Sequence, residues 1–306
     1  MASTKKDGHN GADGMAEGPE DDQPMSFFDH LAELRQRLMR AALALVFGFS
    51  VCYFFVDKLT QMLLRPFGDA WRAVQVECKV DPELMCLSSD TPRLQNLSPF
   101  ESVMVDIRIA IVFGLFIAAP VIFYQLWNFI APGLYKREKK LVVPFAATSA
   151  VMFAIGGWFC YEFVLPVATQ WLLEYGLRKD GGENPVAIMA EYTYSDHIQY
   201  TTRLILGFGL IFEFPLGVFF LSAAGIITHK TLIRHWRIMV LSFFVVAAFL
   251  TPPEPISQIL MALPLCGLFG ISIIVAYFVS KPELERQAKL EADLAKQPPD
   301  DEEDDE

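Results

Sequence analysis

Long apolar runs, nearly free of charge, alternating with polar and charged segments constrain this chain more than any other feature. The runs fall at residues 41–56, 109–135, 141–161, 198–224, 238–250 and 255–280, and the one acid deep inside them is Glu213. About 20 apolar residues in a helix cross a hydrocarbon layer of roughly 30 Å. Backbone amides in lipid must be satisfied within the spanning structure, which favours helices for runs of this length. The expected fold is therefore an all-α membrane protein with six transmembrane helices. The first and fifth runs are short, and Met39 with a snorkelling Arg40 extends the first.

Orientation follows from the loops. Residues 129–144, FIAPGLYKREKKLVVP, place Lys136, Arg137, Lys139 and Lys140 around a lone acid, Glu138, and residues 228–237, THKTLIRHWR, carry basic residues and no acid. Lys and Arg near span ends favour the cytoplasmic side. Both loops then lie inside, and six crossings leave both termini in the cytoplasm. The formal net charge of −11 arises in the tails, since residues 1–24 and 281–306 are acidic while the remainder is balanced. With 53% hydrophobic residues and no broad basic patch, the chain is neither an ordinary soluble domain nor a nucleic-acid binder.

Three regions result. Residues 1–24 are Gly- and acid-rich, bury too little apolar surface to order, and resemble neither a secretory signal nor a transit peptide. That points to a bacterial inner membrane. Residues 25–280 form the six-helix membrane domain. It opens on MSFFDHLAELRQRLMR, where Phe27, Leu31, Leu34, Leu38 and Met39 make one helical stripe at the interface, with Arg35 and Arg37 off it. Residues 281–306 continue as a helix and end in a solvated acidic tail.

The polar stretch 57–98, with Pro66, is too polar to span and is expected outside, as is the segment from Pro166 to Ser195. Cys78 and Cys86 lie outside the apolar runs and either bridge in an oxidising compartment or remain free thiols. Cys52, Cys160 and Cys266 read as packing residues. Prolines at 120, 144, 215 and 264 fall in apolar runs and predict several bent helices around a groove.

Three acids stand out. A carboxylate at the depth of Glu213 is costly and faces a cavity or a partner. Glu33 and Glu138 lie near the inner surface among Lys and Arg. Each alone is an ordinary exposed acid, whereas together they make a receptor for guanidinium, which carboxylates bind in a planar fork. Hydrolase and phosphate-loop motifs are missing, the five histidines show no ligand spacing, and neither a metal nor a cofactor is expected. Two readings remain: a receptor without chemistry of its own, and a proton-coupled small-solute transporter using Glu213.

Several motifs in order resemble the TatC family, the signal-peptide receptor of the twin-arginine protein translocase. They are His30-Leu31-Ala32-Glu33-Leu34-Arg35, Ser98-Pro99-Phe100, Phe129-Ile130-Ala131-Pro132-Gly133-Leu134-Tyr135-Lys136 with Glu138, Phe212-Glu213-Phe214-Pro215, and Leu250-Thr251-Pro252-Pro253. The resemblance covers about residues 26–280. It implies recognition of paired arginines in signal peptides of folded precursors, single-span partners of the TatA and TatB families, self-association in a larger complex, and export driven by the proton-motive force. It also implies roles for particular residues. Glu33 and Glu138 engage the arginines with Arg35 and Phe129 beside them, and Glu213 and Gln258 face partner helices. Pro66 is the proline of the first external loop. Glu254 replaces the Asp common after Thr-Pro-Pro, and the loop holding Cys78 and Cys86 is longer than the family pattern leads one to expect.

Overall fold

The computed structural model describes residues 27–80, 91–130, 142–177, 192–223, 225–250 and 255–294. The amphipathic stripe and the first apolar run form one continuous helix, α1 (Phe27–Phe54), and α2 (Val56–Glu77) follows after a single joint residue, Phe55. Next come α3 (Pro99–Ile130) and α4 (Val142–Phe159), and a π-helical turn (Cys160–Val164) leads into α5 (Leu165–Leu177). The chain continues as α6 (Tyr194–Phe212), α7 (Phe214–Ala223), α8 (His229–Arg234), α9 (Trp236–Leu250) and α10 (Pro255–Leu294). Five stretches, His30–Phe54, Pro99–Ile130, Val142–Gly176, Tyr194–Ala223 and Gln258–Ser280, are long and apolar enough to cross a membrane, and α9 is a shorter apolar helix. This is an all-α membrane fold with the expected six apolar helices, of which α9, at 15 residues, reaches only about 22 Å at 1.5 Å per residue.

One boundary differs from expectation. The helix of the third apolar run does not end at Tyr161 but continues through a π turn into α5, as far as Leu177. The π turn explains the continuation: the Leu165 N–H bonds the Cys160 carbonyl five residues back, so Pro166 enters in the first turn of α5, where its missing N–H costs little.

The prolines also act unequally. Pro144 sits in the first turn of α4, and α3 and α10 run through Pro120 and Pro264 as unbroken helices. The interruption comes before Pro215, where Glu213 separates α6 from α7 and its N–H bonds Leu210 O at 3.1 Å. Within α2, Pro66 cannot donate to the Met62 carbonyl, and the Tyr161 hydroxyl donates to it instead, at 2.9 Å. A backbone defect is thereby turned into a tie between α2 and the π turn.

Small residues set the helix spacing. A Cβ built on Gly114 of α3 would lie 2.6 Å from the Phe49 backbone nitrogen of α1, and one on Gly156 of α4 would lie 2.6 Å from the Phe208 carbonyl of α6. Such contacts let backbones approach closely where lipid gives no hydrophobic push between helices. Ile109, Phe153, Leu204 and Phe208 fill the interior they define. Leu43, Val46 and Phe47 on α1 stay exposed, as faces turned to lipid do.

At the α2/α5 end, Phe67, Ala70, Trp71, Val74, Cys78 and Leu173 form a second apolar cluster with Tyr192 against it. Burial pushes the Tyr192 phenol up to about 12. Backbone bonds of 2.8 Å from Gln95 N–H to Tyr192 O and from Tyr194 N–H to Gln95 O tie the two connecting segments together. The expected external stretch is thus largely helical and packed. Cys78 is disulfide-bonded, whereas Cys52, Cys160 and Cys266 are free. Cys86, Glu138, Glu254 and both tails lie outside the described residues, apart from the α10 backbone, which runs on to Leu294.

Candidate functional site

Tight packing of α1 on α3 brings the start of one against the end of the other. The His30 ring stacks on Phe129 with centroids 4.5 Å apart and planes 20° apart. One turn along α1, Glu33 faces the same seam. Arg37 donates to Glu33 Oε1 through both Nε, at 3.0 Å, and Nη2, and His30 Nδ1 lies 4.0 Å from Oε2. That second oxygen is buried and accepts no hydrogen bond from any described group. The result is a half-buried carboxylate with one oxygen held by a cation and the other unmatched beside an aromatic stack.

Of the residues expected here, Phe129 and Glu33 are linked through His30, which stacks on the one and lies beside the other, but Arg35 is not part of this group. It is exposed, and two residues at ~100° each turn it roughly to the opposite face of α1. Arg37 and His30 take its place at the carboxylate. Both were legible in principle, because positions three and four apart share a helical face. An apolar-stripe reading of α1 sees only that Arg37 lies off the stripe.

Glu213 occupies a different setting. It is half-buried at the α6/α7 joint and lines a cavity of roughly 370 Å³ with Leu210, Phe214, Phe243, Leu265 and Leu268 among its walls. Its Oε1 has no described partner. Ser149 of α4 sits nearby and itself accepts the Trp127 indole N–H at 2.8 Å. Gln258 does not reach this cavity. Its Nε2 donates to the Phe244 carbonyl at 2.8 Å and fastens the start of α10 to α9. Pro66 is buried inside α2.

Residues 29–264 match the family described as Sec-independent protein translocase protein (TatC). The chain belongs to the TatC family. Among relatives, a TatC of Campylobacter jejuni is 36% identical over 259 residues, covering 85% of this chain and 96% of that one. A TatC of Helicobacter pylori is 38% identical over 251 residues, covering 82% and 87%. A crystal structure described as the twin-arginine translocase receptor TatC superposes with a TM-score of 0.65 at 31% identity, spanning 82% of this chain and all of that one. TatC proteins are components of a protein translocase rather than enzymes. Among the described residues, no cluster of His, Cys, Asp or Glu has the arrangement of a metal site.

Proposed function

We propose that this chain is the receptor of a twin-arginine translocase in a bacterial inner membrane, with both termini in the cytoplasm, and that Glu33 engages a signal-peptide arginine. The observation that carries this reading is the unmatched Glu33 Oε2 beside the His30–Phe129 stack. A guanidinium donates in a planar fork and stacks on aromatic faces, so a carboxylate next to a ring suits Arg better than Lys. Arg37 holds the carboxylate in place beforehand, and an incoming arginine displaces Arg37 or, as the side chain turns outward, takes the buried oxygen that has no hydrogen bond. Glu138 follows α3 by eight residues, near enough along the chain to supply the second carboxylate. Arg35, exposed on the far face of α1, contacts the peptide's flanks.

Single-span helices of TatA and TatB type are the proposed partners, met at Glu213 through the apolar cavity between α6, α7, α9 and α10. A partner's polar group placed there satisfies the orphaned oxygen. Gln258 acts on that contact by holding α9 against α10. Passage of precursors is driven by the proton-motive force.

The deciding experiment compares binding of a signal peptide with two arginines and one with two lysines to purified protein, with Glu33→Gln and Glu138→Gln alongside. The expected result is an arginine preference that collapses in both variants. Equal binding of both peptides, unchanged by either substitution, overturns the reading. Solute uptake by the chain reconstituted alone would instead favour a proton-coupled transporter.

A further inference from the structure

Arg108 of α3 and Arg203 of α6 line one surface crevice of roughly 240 Å³ together with Gln199, Thr202, Val112 and Leu206. Neither arginine forms an ion pair with any described acid. The nearest acids along these helices, Asp106 and Asp196, pair with neither arginine, and Asp196 lines a separate cavity with Phe67 and Tyr192. Two cations without a described counter-charge therefore share one polar notch in the side of a membrane helix bundle.

Their depth is matched. Arg108 lies nine residues past Pro99, the first residue of α3, and Arg203 nine past Tyr194, the first of α6. Beyond Arg108 the chain is uncharged to Ile130, and beyond Arg203 it carries only Glu213 as far as Ala223. Those stretches of about 20 residues are each ~30 Å of helix, the thickness of a hydrocarbon core. The arginines thus mark the boundary at the α2/α5 end, the level at which lipid phosphates sit.

The lining is ordered the same way. Arg108, Gln199, Thr202 and Arg203 make the outer part, and Val112 and Leu206, one turn deeper, make the inner part. Gln199 Oε1 accepts from Arg108 Nη1 at 3.0 Å, which fixes that guanidinium and leaves its other N–H groups to donate. The Thr202 hydroxyl already donates to Ile198 O at 2.6 Å. The donors left for a ligand are guanidinium N–H groups and the Gln199 amide, a set that matches a phosphate rather than a cation or a sugar.

We propose that this crevice binds the phosphodiester of an anionic phospholipid, with Arg108 and Arg203 clamping the phosphate and an acyl chain running inward past Val112 and Leu206. The site is distinct from the Glu33 seam, at the opposite end of α3, and from the Glu213 cavity. It does not depend on the signal-peptide reading.

The test is lipid retention by native mass spectrometry of the detergent-purified chain titrated with phosphatidylglycerol, phosphatidylcholine or inorganic phosphate. One phosphatidylglycerol should be held in preference to phosphatidylcholine, and Arg203→Gln should weaken it on the order of tenfold, the loss of one charged hydrogen-bonding group. Arg203→Lys should fall between the two, and Lys58→Gln on α2 should change nothing. Arg203 is exposed, so its variants keep the fold even if Arg108→Gln, which breaks the bond to Gln199, does not. Undiminished retention by Arg203→Gln would overturn the proposal, as would displacement of the lipid by equimolar inorganic phosphate, which would make this a site for a free ion.

Discussion

Glu33 and Glu213 each present one oxygen that accepts no hydrogen bond from a described group, yet their surroundings are opposed. Glu33 sits at a helix seam near the surface, with Arg37 on its other oxygen and an aromatic stack beside it. Glu213 sits in mid-membrane at a helix break, with apolar walls and a serine nearby. The first setting tolerates a permanent charge and suits an exchangeable cation. The second makes charge costly by several kcal/mol and suits a neutral donor from a neighbouring helix. The same side chain thus stands in two unlike settings, and the proposed division of labour, a peptide at Glu33 and a membrane-embedded partner at Glu213, rests on that difference of water, cation and backbone geometry.

The largest blow to this contrast should come from neither acid. Gly114→Leu forces side-chain atoms into the α1 backbone, where even a Cβ would sit 2.6 Å from Phe49 N. Overpacking of this kind costs about 1–3 kcal/mol or more. It should separate Glu33 from Phe129, lowering the melting temperature and abolishing peptide binding together. Intact peptide binding in a folded Gly114→Leu protein would mean that the seam is not the site.

Glu33→Gln should come next, weakening binding of the two-arginine peptide by ~10- to 100-fold, the range of a charged hydrogen bond worth about 1.5–3 kcal/mol. Wild-type binding should itself fall as ionic strength rises, because exposed charges are screened. A calorimetric titration across salt concentrations checks both.

Glu213→Ala should leave peptide affinity within about twofold, since the two acids are far apart and share no partner. It should reduce co-purification of single-span partners instead. Loss of both activities would show that Glu213 supports the fold rather than an interface. Partner association that survives Glu213→Ala would remove the contrast altogether.

The smallest effect tests the neutral background. Tyr161→Phe leaves the Met62 carbonyl without its donor and should cost about 1 kcal/mol in thermal unfolding, with no change in either binding assay. In a Pro66→Ala background an N–H is available to Met62 O, and the same substitution should cost less. Equal costs in both backgrounds would mean that the tyrosine bond is not a substitute for the one Pro66 removes.

Much of this arrangement was legible in the residues. Apolar runs of spanning length set the helices, since a lipid-embedded backbone has no other local solution, and the break at Glu213 was foreshadowed by Pro215. The family motifs singled out Glu33, Phe129 and Glu213 as the residues to follow. The reading failed where a local rule met a non-local remedy. The third apolar run was read as ending at Tyr161, but a five-residue π turn carries the helix on through Pro166. Pro120 and Pro264, read as sites of bending, lie inside continuous helices, whereas the chain is interrupted just before Pro215. The family motif pointed to Arg35 as a neighbour of the site, and helical phase adds Arg37, which the motif does not single out, as the cation on the Glu33 carboxylate.

By itself the sequence determined that this chain is a helical membrane protein, where its helices run, and which acids are out of place in them, because those follow from hydrophobicity and charge along one dimension. Only the tertiary structure decided which of those acids have company. Gly48 opposite Gly114 brings α1 onto α3 and so puts His30, with Glu33 at its side, against Phe129. Packing of α3 on α6 sets Arg108 and Arg203 in one crevice at one depth. Both meetings depend on how closely two backbones approach and on which way each helix is turned, and neither quantity is written in the order of the residues alone.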